Sequence, residues 1–286
     1  MTDVTSSTVI THNPISGVGI GLRAEHYEYV KRERPPTPWF EVLIDNYLGH
    51  GGQIQQHLQD FSELYPLTFH GVGMSLGSCD PLNENYLKLL KQAVKKYQPA
   101  LVSDHLCWTG FQNEYVHDLL PMPYTEEAAH HVANRIKQVQ DYLNTQILIE
   151  NVSSYMQYQI SDMSEAEFVT YVCELADCHL LLDINNIYVS AFNHHFVAKD
   201  YLSSMPADRI KEFHLAGYED QGDYLLDTHG QAIHPPVWQL YHEAIKQFGA
   251  RPTLIEWDNN IPEFSVLQQE AHKTELILNV EQHDAA

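Results

Sequence analysis

The sequence predicts a single-domain (β/α)8 TIM barrel. Three observations lead there. Eight short apolar runs recur along 286 residues, helix-like stretches separate most of them, and no low-complexity linker or composition break divides the chain. One α/β barrel occupies about 250 residues, so the length suits a single closed unit. An open doubly wound sheet is the alternative, but no G-x-G-x-x-G follows the first run, and eight near-equal units favour closure. The barrel is expected to span residues 14–280, after a flexible N-terminal segment at 1–13.

In chain order the strand-like runs are GVGIGL (17–22), WFEVLI (39–44), PLTFHG (66–71), ALVSDH (100–105), QILIEN (146–151), LLLDIN (180–185), IKEFHL (210–215) and PTLIEW (252–257). Between them, Leu82, Tyr86, Leu89, Leu90 and Val94 form an apolar stripe at helical spacing over 82–97. Asp80 and Pro81 suit that helix's N-cap and first position. Thr125 followed by Glu126 and Glu127 marks a helix start, with helix over 125–143, and Ser164 with Glu167 has capping-box spacing. Further helices are expected over 235–248 and 263–280.

Composition narrows the function. The 16 basic residues face 38 acidic ones, a formal charge of −22. Affinity for phosphate backbones and anionic membranes comes mostly from Lys and Arg, so neither nucleic acid nor membrane is an expected partner. No apolar stretch approaches the ~18 residues of a membrane span, and the N-terminus lacks the basic and apolar regions of a signal peptide. Cys79, Cys107, Cys173 and Cys178 make neither a disulfide framework nor a C-x-x-C pair. A reducing, cytoplasmic location is expected. The 18 histidines are a first hint of metal chemistry.

The strand ends carry the stronger signal. The third run ends at His70, the fourth at Asp104 and His105, the fifth at Glu150, and the sixth at Asp183 with Asn186 three residues later. The seventh ends at His214, a following DTHG loop holds Asp227 and His229, and the eighth ends at Glu256. In a parallel barrel all strand C-termini open on one rim, so these side chains should converge. Asp104 aside, four imidazoles, four carboxylates and an amide, with no thiolate, suit zinc, iron or manganese. Two or three ions fit if some carboxylates bridge. Asp227 and His229, two apart on an extended segment, could chelate one ion.

Each residue also has an ordinary reading. Glu150 and Glu256 could be ion-paired core acids, although basic partners are scarce; His214 could be a hydrogen-bonded core histidine, and Asn186 a turn residue. Other residues read as structural: His194–His195 as a polar loop, His130–His131 as solvent-facing, His117 and His179 as scaffold, Trp238–Tyr241 as packing and Cys107 as a packed thiol. GVGMSLGS (71–78) lacks P-loop order and reads as a rim loop.

The blocks GVGIGLRAEHY, PLTFHGVGMSLGS, LVSDHLCW, HDLLPMPYTEEA, ILIENVSSY, LLLDINNIYVSAFNH, HLAGY, LLDTHG, PVWQLY and PTLIEWD, over about residues 14–275, resemble the multinuclear iron family of MbnB and TglH. That family is a TIM barrel whose metal pattern is similar to that of xylose isomerase-like proteins, including endonuclease four. Against the endonuclease pattern Asn186 stands where a His is expected. The resemblance implies an enzyme that works with a small partner protein on a Cys-containing, ribosomally made precursor peptide, oxidising cysteine with molecular oxygen. It implies that His70, His105, Glu150, Asp183, Asn186, His214, Asp227, His229 and Glu256 hold two or three irons, with Glu150 and Glu256 as bridges. Glu150, Glu256 and Asp183 are its expected catalytic residues. One iron would take the cysteine sulfur and another would serve oxygen. Three blocks depart from the family pattern: IDNY at Asp45–Asn46 replaces Glu-Asn, SDHL replaces SEHL, and VHDLL replaces LNDLL. None removes an expected ligand.

Two other function classes fit the ligands alone. A metal-dependent sugar isomerase or abasic-site endonuclease uses the same side chains, with zinc or manganese in place of iron. The charge argues against the endonuclease. A metal-binding scaffold without turnover would leave the open coordination positions without a purpose.

Overall fold

A computed structural model describes residues 14–49, 51–112 and 114–284. The expected flexible segment at 1–13 lies outside the described residues. Eight strands close into a barrel: β1 (Val18–Gly21), β2 (Phe40–Leu43), β3 (Leu67–Gly71), β4 (Val102–His105), β5 (Leu148–Glu150), β6 (His179–Asp183), β7 (Ile210–Leu215) and β8 (Thr253–Ile255). Each strand pairs in parallel with its sequence neighbours, and β1 pairs with β8 to close the ring. Each of the eight expected runs overlaps one of these strands, the sixth starting one residue late, since β6 begins at His179.

The period-2 alternation of a strand sorts each one into two faces. On β7, Phe213 points outward to Tyr241 and Phe248, while Glu212 and His214 point inward. On β3, Phe69 packs on Tyr97, while His70 faces inward toward Glu150. The outward apolar residues pack under the helices α1 (Tyr27–Glu33), α2 (Gln53–Leu64), α3 (Glu84–Tyr97), α4 (Glu126–Leu143), α5 (Glu165–Ala176), α6 (Ile184–His194), α7 (Ala198–Ser203), α8 (Pro235–Phe248) and α9 (Phe264–Asp284). Gly19 on β1 has no freedom to become alanine: a Cβ there would lie 2.4 Å from the buried Trp39 ring.

The expected caps at Thr125 and at Ser164 with Glu167 are formed. The third helix differs. Asn83, not Asp80, is its N-cap, accepting from the Tyr86 N–H at 3.0 Å, and the helix starts at Glu84. Asp80 and Pro81 belong to the preceding loop, where Arg135 donates to the Asp80 carbonyl. His194 ends α6 rather than lying in a loop, because the 184–194 stretch propagates from an Asp183 cap, and His195 is its left-handed C-cap. His131 is not solvent-facing: its Nε2 lies 2.8 Å from the Ser78 carbonyl and ties α4 to the rim loop. After β4 a hairpin (Trp108–Phe111 paired with Glu114–Leu120) rises over the barrel mouth. It carries His117 to the mouth, so that residue is not scaffold. No helix among the described residues is long and apolar enough to cross a membrane.

Candidate metal centre

The strand C-termini surround a bowl of about 730 Å3, lined in part by His70, His105, Asn186, Asp227, His229 and Glu256. Glu150, Asp183 and His214 lie buried beneath it. Parallel closure puts these ends on one face, and alternation turns the ligand-type side chains inward.

The first corner is His70, His105 and Glu150. His70 Nδ1 lies 2.7 Å from the Ser103 hydroxyl, which holds the ring in place. His105 Nδ1 donates to the Gly71 carbonyl at 3.1 Å. His105 is then the Nδ1–H tautomer and turns an Nε2 lone pair inward, and His70 Nε2 faces the same way. Each Nε2 lies 3.3 Å from the same atom, Glu150 Oε2. Burial lowers the pKa of His105 to about 4 and that of His70 well below the usual range. Two neutral rings and a carboxylate thus bring three ligand-type atoms face to face. Donors bonded to one ion at about 2.0–2.2 Å sit roughly 3.0–3.5 Å apart, which matches this spacing.

The second corner joins Glu150, Asp183, His214 and Glu256. Asp183 does two jobs. Its Oδ1 caps α6 by accepting from Asn186 N–H at 2.7 Å, while Oδ2 is buried without a partner. Asn151 locks β5 to β6, donating to the Asp183 carbonyl and accepting from the Asp183 N–H. His214 Nδ1 lies 3.0 Å from Glu256 Oε2 and 3.8 Å from Glu150 Oε1. Burial pushes Glu150 well above the carboxylate range and Asp183 up to about 7. Glu256 goes the other way: burial is outweighed by His229 and His214, which hold it well below that range.

A third part of the bowl wall holds Asp227 and His229, with Asn186 also lining it. His229 Nε2 lies 2.7 Å from Asp227 Oδ1, yet it has no partner of hydrogen-bond geometry. The two atoms face a common point, as chelating donors do. The segment is not extended: His229 has φ +46. Ser153 and Asn185 donate to Asp227 at 3.0 and 2.7 Å and fix its carboxylate. Asn186 Nδ2 donates to the Asn151 carbonyl, which turns its buried, partnerless Oδ1 the other way.

Glu150 Oε2, Asp183 Oδ2, Asn186 Oδ1, His214 Nε2 and His229 Nε2 are all buried without a hydrogen-bond partner. Each orphan costs about 1–3 kcal/mol, so a protein does not gather them at one place without compensation. Together with the oxygen–nitrogen donor set, this fits hard or borderline cations.

Four contributors lie outside the strand-end set. Glu41 and Glu212 point inward one layer below the rim, and His214 Nε2 is 3.5 Å from Glu41 Oε2. The E-x-H spacing of Glu212 and His214 carried the signal, because residues two apart share a strand face. Asp258 lies beside His229 and Glu256, and Arg23 bonds to it. Cys107 is a buried, packed thiol.

A family model described as RiPP precursor modification enzyme MbnB/TglH/ChrH matches residues 17–279. The chain belongs to the MbnB/TglH/ChrH family. Its relatives include a UPF0276 protein of Acaryochloris marina, 51% identical over 94% of this chain and 98% of the relative. A UPF0276 protein of Vibrio vulnificus is 46% identical over 91% of each. Solved structures similar to this MbnB/TglH/ChrH barrel include an L-ribulose 3-epimerase (TM-score 0.60, 12% identity, 95% of this chain and 97% of that one). Endonuclease IV from Thermus thermophilus is another (TM-score 0.58, 11% identity, 94% and 99%). At such identity these two show the barrel fold alone.

Proposed function

We propose that this chain is a multinuclear non-heme iron enzyme that uses O2 to modify cysteine residues of a ribosomally made precursor peptide, together with a small partner protein. Membership in the family supports the reaction class. The observation that carries the metal is Glu150 Oε2, faced at 3.3 Å by Nε2 of both His70 and His105. His70, His105, Glu150, Asp183, His214, Glu256, Asp227, His229 and Asn186 would hold two or three ions. Bound iron would supply one-electron redox chemistry and an affinity for the cysteine thiolate. The chain's own part is placement. Ser103 and the Gly71 carbonyl orient the two imidazoles, Asn151 fixes Asp183, and Ser153 with Asn185 fixes Asp227. The hairpin residues Tyr115 and His117, with Tyr155, wall the bowl.

Sugar epimerases share the fold, and Lewis-acid metals would suit the same ligands. A single experiment separates the readings. The iron-loaded protein, co-expressed with its partner and a Cys-containing precursor peptide, is expected to change the peptide's mass by oxidation or loss of carbon. Glu150→Gln and His229→Ala should abolish that change. An unmodified peptide, with ketose epimerisation by the manganese- or zinc-loaded protein, would favour the epimerase.

A further inference from the structure

Arg23 is the only lysine or arginine lining the bowl among the described residues. Its side chain is 15% exposed. Nε lies 3.0 Å from Asp258 Oδ1, Nη2 contacts the same oxygen, and Nη2 is 3.8 Å from Glu256 Oε1. These are the outer oxygens of two carboxylates. The inner ones, Asp258 Oδ2 and Glu256 Oε2, each lie 3.3 Å from His229 Nδ1. On the far side of that ring, Nε2 sits beside Asp227.

An ion pair on the open surface would contribute little. This one is different in kind, since one planar guanidinium spans two carboxylates that share one imidazole nitrogen. A lysine, as a point charge on a flexible stem, cannot reproduce that span. Nor does the guanidinium sit where an ion would, because it takes the oxygens turned away from His229.

We propose that Arg23 and Asp258 are positioning residues for His229: Arg23 pins Asp258, Asp258 accepts from the imidazole Nδ1–H, and Nε2 is presented with Asp227 to a cation. The inference rests on the bowl being a metal centre. It gives Asp258 a supporting place behind a ligand, where loss of such a partner typically weakens metal binding 10- to 100-fold.

The test uses the full chain, stripped with chelator and titrated anaerobically with Co(II), read by visible absorption and metal per chain. His229→Ala identifies the ion concerned. Arg23→Gln and Asp258→Ala are each expected to weaken that ion about 10- to 100-fold and to leave the His70–His105–Glu150 ion unchanged. Arg23→Lys should recover only part of the affinity. At saturating Co(II) the spectra of both variants should return to that of the native protein, because neither residue is a ligand. Unchanged affinity in both variants would overturn the proposal. So would tighter binding in Arg23→Gln, the sign of a competing cation, or an altered saturated spectrum in Asp258→Ala, the sign of a lost ligand. Should Arg23→Gln fail to fold by circular dichroism, Asp258→Ala and Arg23→Lys decide by the same criteria. Native protein that takes up no Co(II) would instead overturn the metal centre itself.

Discussion

Glu150 Oε2 lies 3.3 Å from His105 Nε2, and the imidazole has no proton to place between them, because its N–H is committed to the Gly71 carbonyl. His70 Nε2 lies 3.3 Å from the same oxygen. Either a cation or a proton on Glu150 must relieve this contact. Burial raises the Glu150 carboxyl, so in chelator-stripped protein the proton does so.

Glu150→Gln should therefore leave the stripped protein as stable as the native chain or more so, since a neutral amide replaces a carboxyl that resists ionisation. The same variant should lose most of the stabilisation that metal confers, about 2.7 kcal/mol at a ligand concentration of 100 Kd. Thermal melts with and without Fe(II) or Co(II) measure both effects.

Gly73 supports this corner from behind. A Cβ there would lie 2.5 Å from Asp45 Oδ1 and 2.6 Å from the Tyr86 ring. Asp45 accepts from Val72 N–H and Asp104 from Met74 N–H, so the two acids hold the loop that follows His70. Gly73→Ala is expected to cost about 1–3 kcal/mol, as overpacking does, and to weaken metal binding. Urea unfolding and metal titration of the variant would check this.

Glu165 lies away from the metal ligands and gives a cleaner pH dependence. Burial raises its carboxyl to about 7, despite the hydrogen bond donated by Tyr201 at 3.0 Å. The folded chain then binds more protons than the unfolded one between pH 4.5 and about 7. That contribution is complete below 4.5 and lost as pH rises through about 7. Glu165→Gln should flatten the fall in stability across this window by roughly 1–3 kcal/mol, since each tenfold gain in proton affinity is worth about 1.4 kcal/mol. Urea midpoints measured from pH 4.5 to 8 test it.

Much of the barrel was legible because β-strands and crossover helices each leave their own period in the sequence. The strand-end ligands were legible because a polar residue terminating an apolar run stands out. Glu212 and Glu41 did not stand out, since they interrupt runs that the outward-facing Phe213 and Phe40 keep apolar. Arg23 and Asp258 were hidden for another reason. They are 235 positions apart and meet only because β1 closes against β8. The caps show the same division. Ser164 and Glu167 form their box locally, whereas the start of α3 at Asn83 went unread beside the equally suitable Asp80 and Pro81.

Anomalous diffraction from iron-loaded crystals, collected on both sides of the iron edge, tests the central claim most directly. The expected result is at least one iron peak in the bowl, bonded at about 2.0–2.2 Å to His70, His105 and Glu150. A bowl without an anomalous peak, its imidazoles and carboxylates hydrogen-bonded to one another or to water, would contradict it.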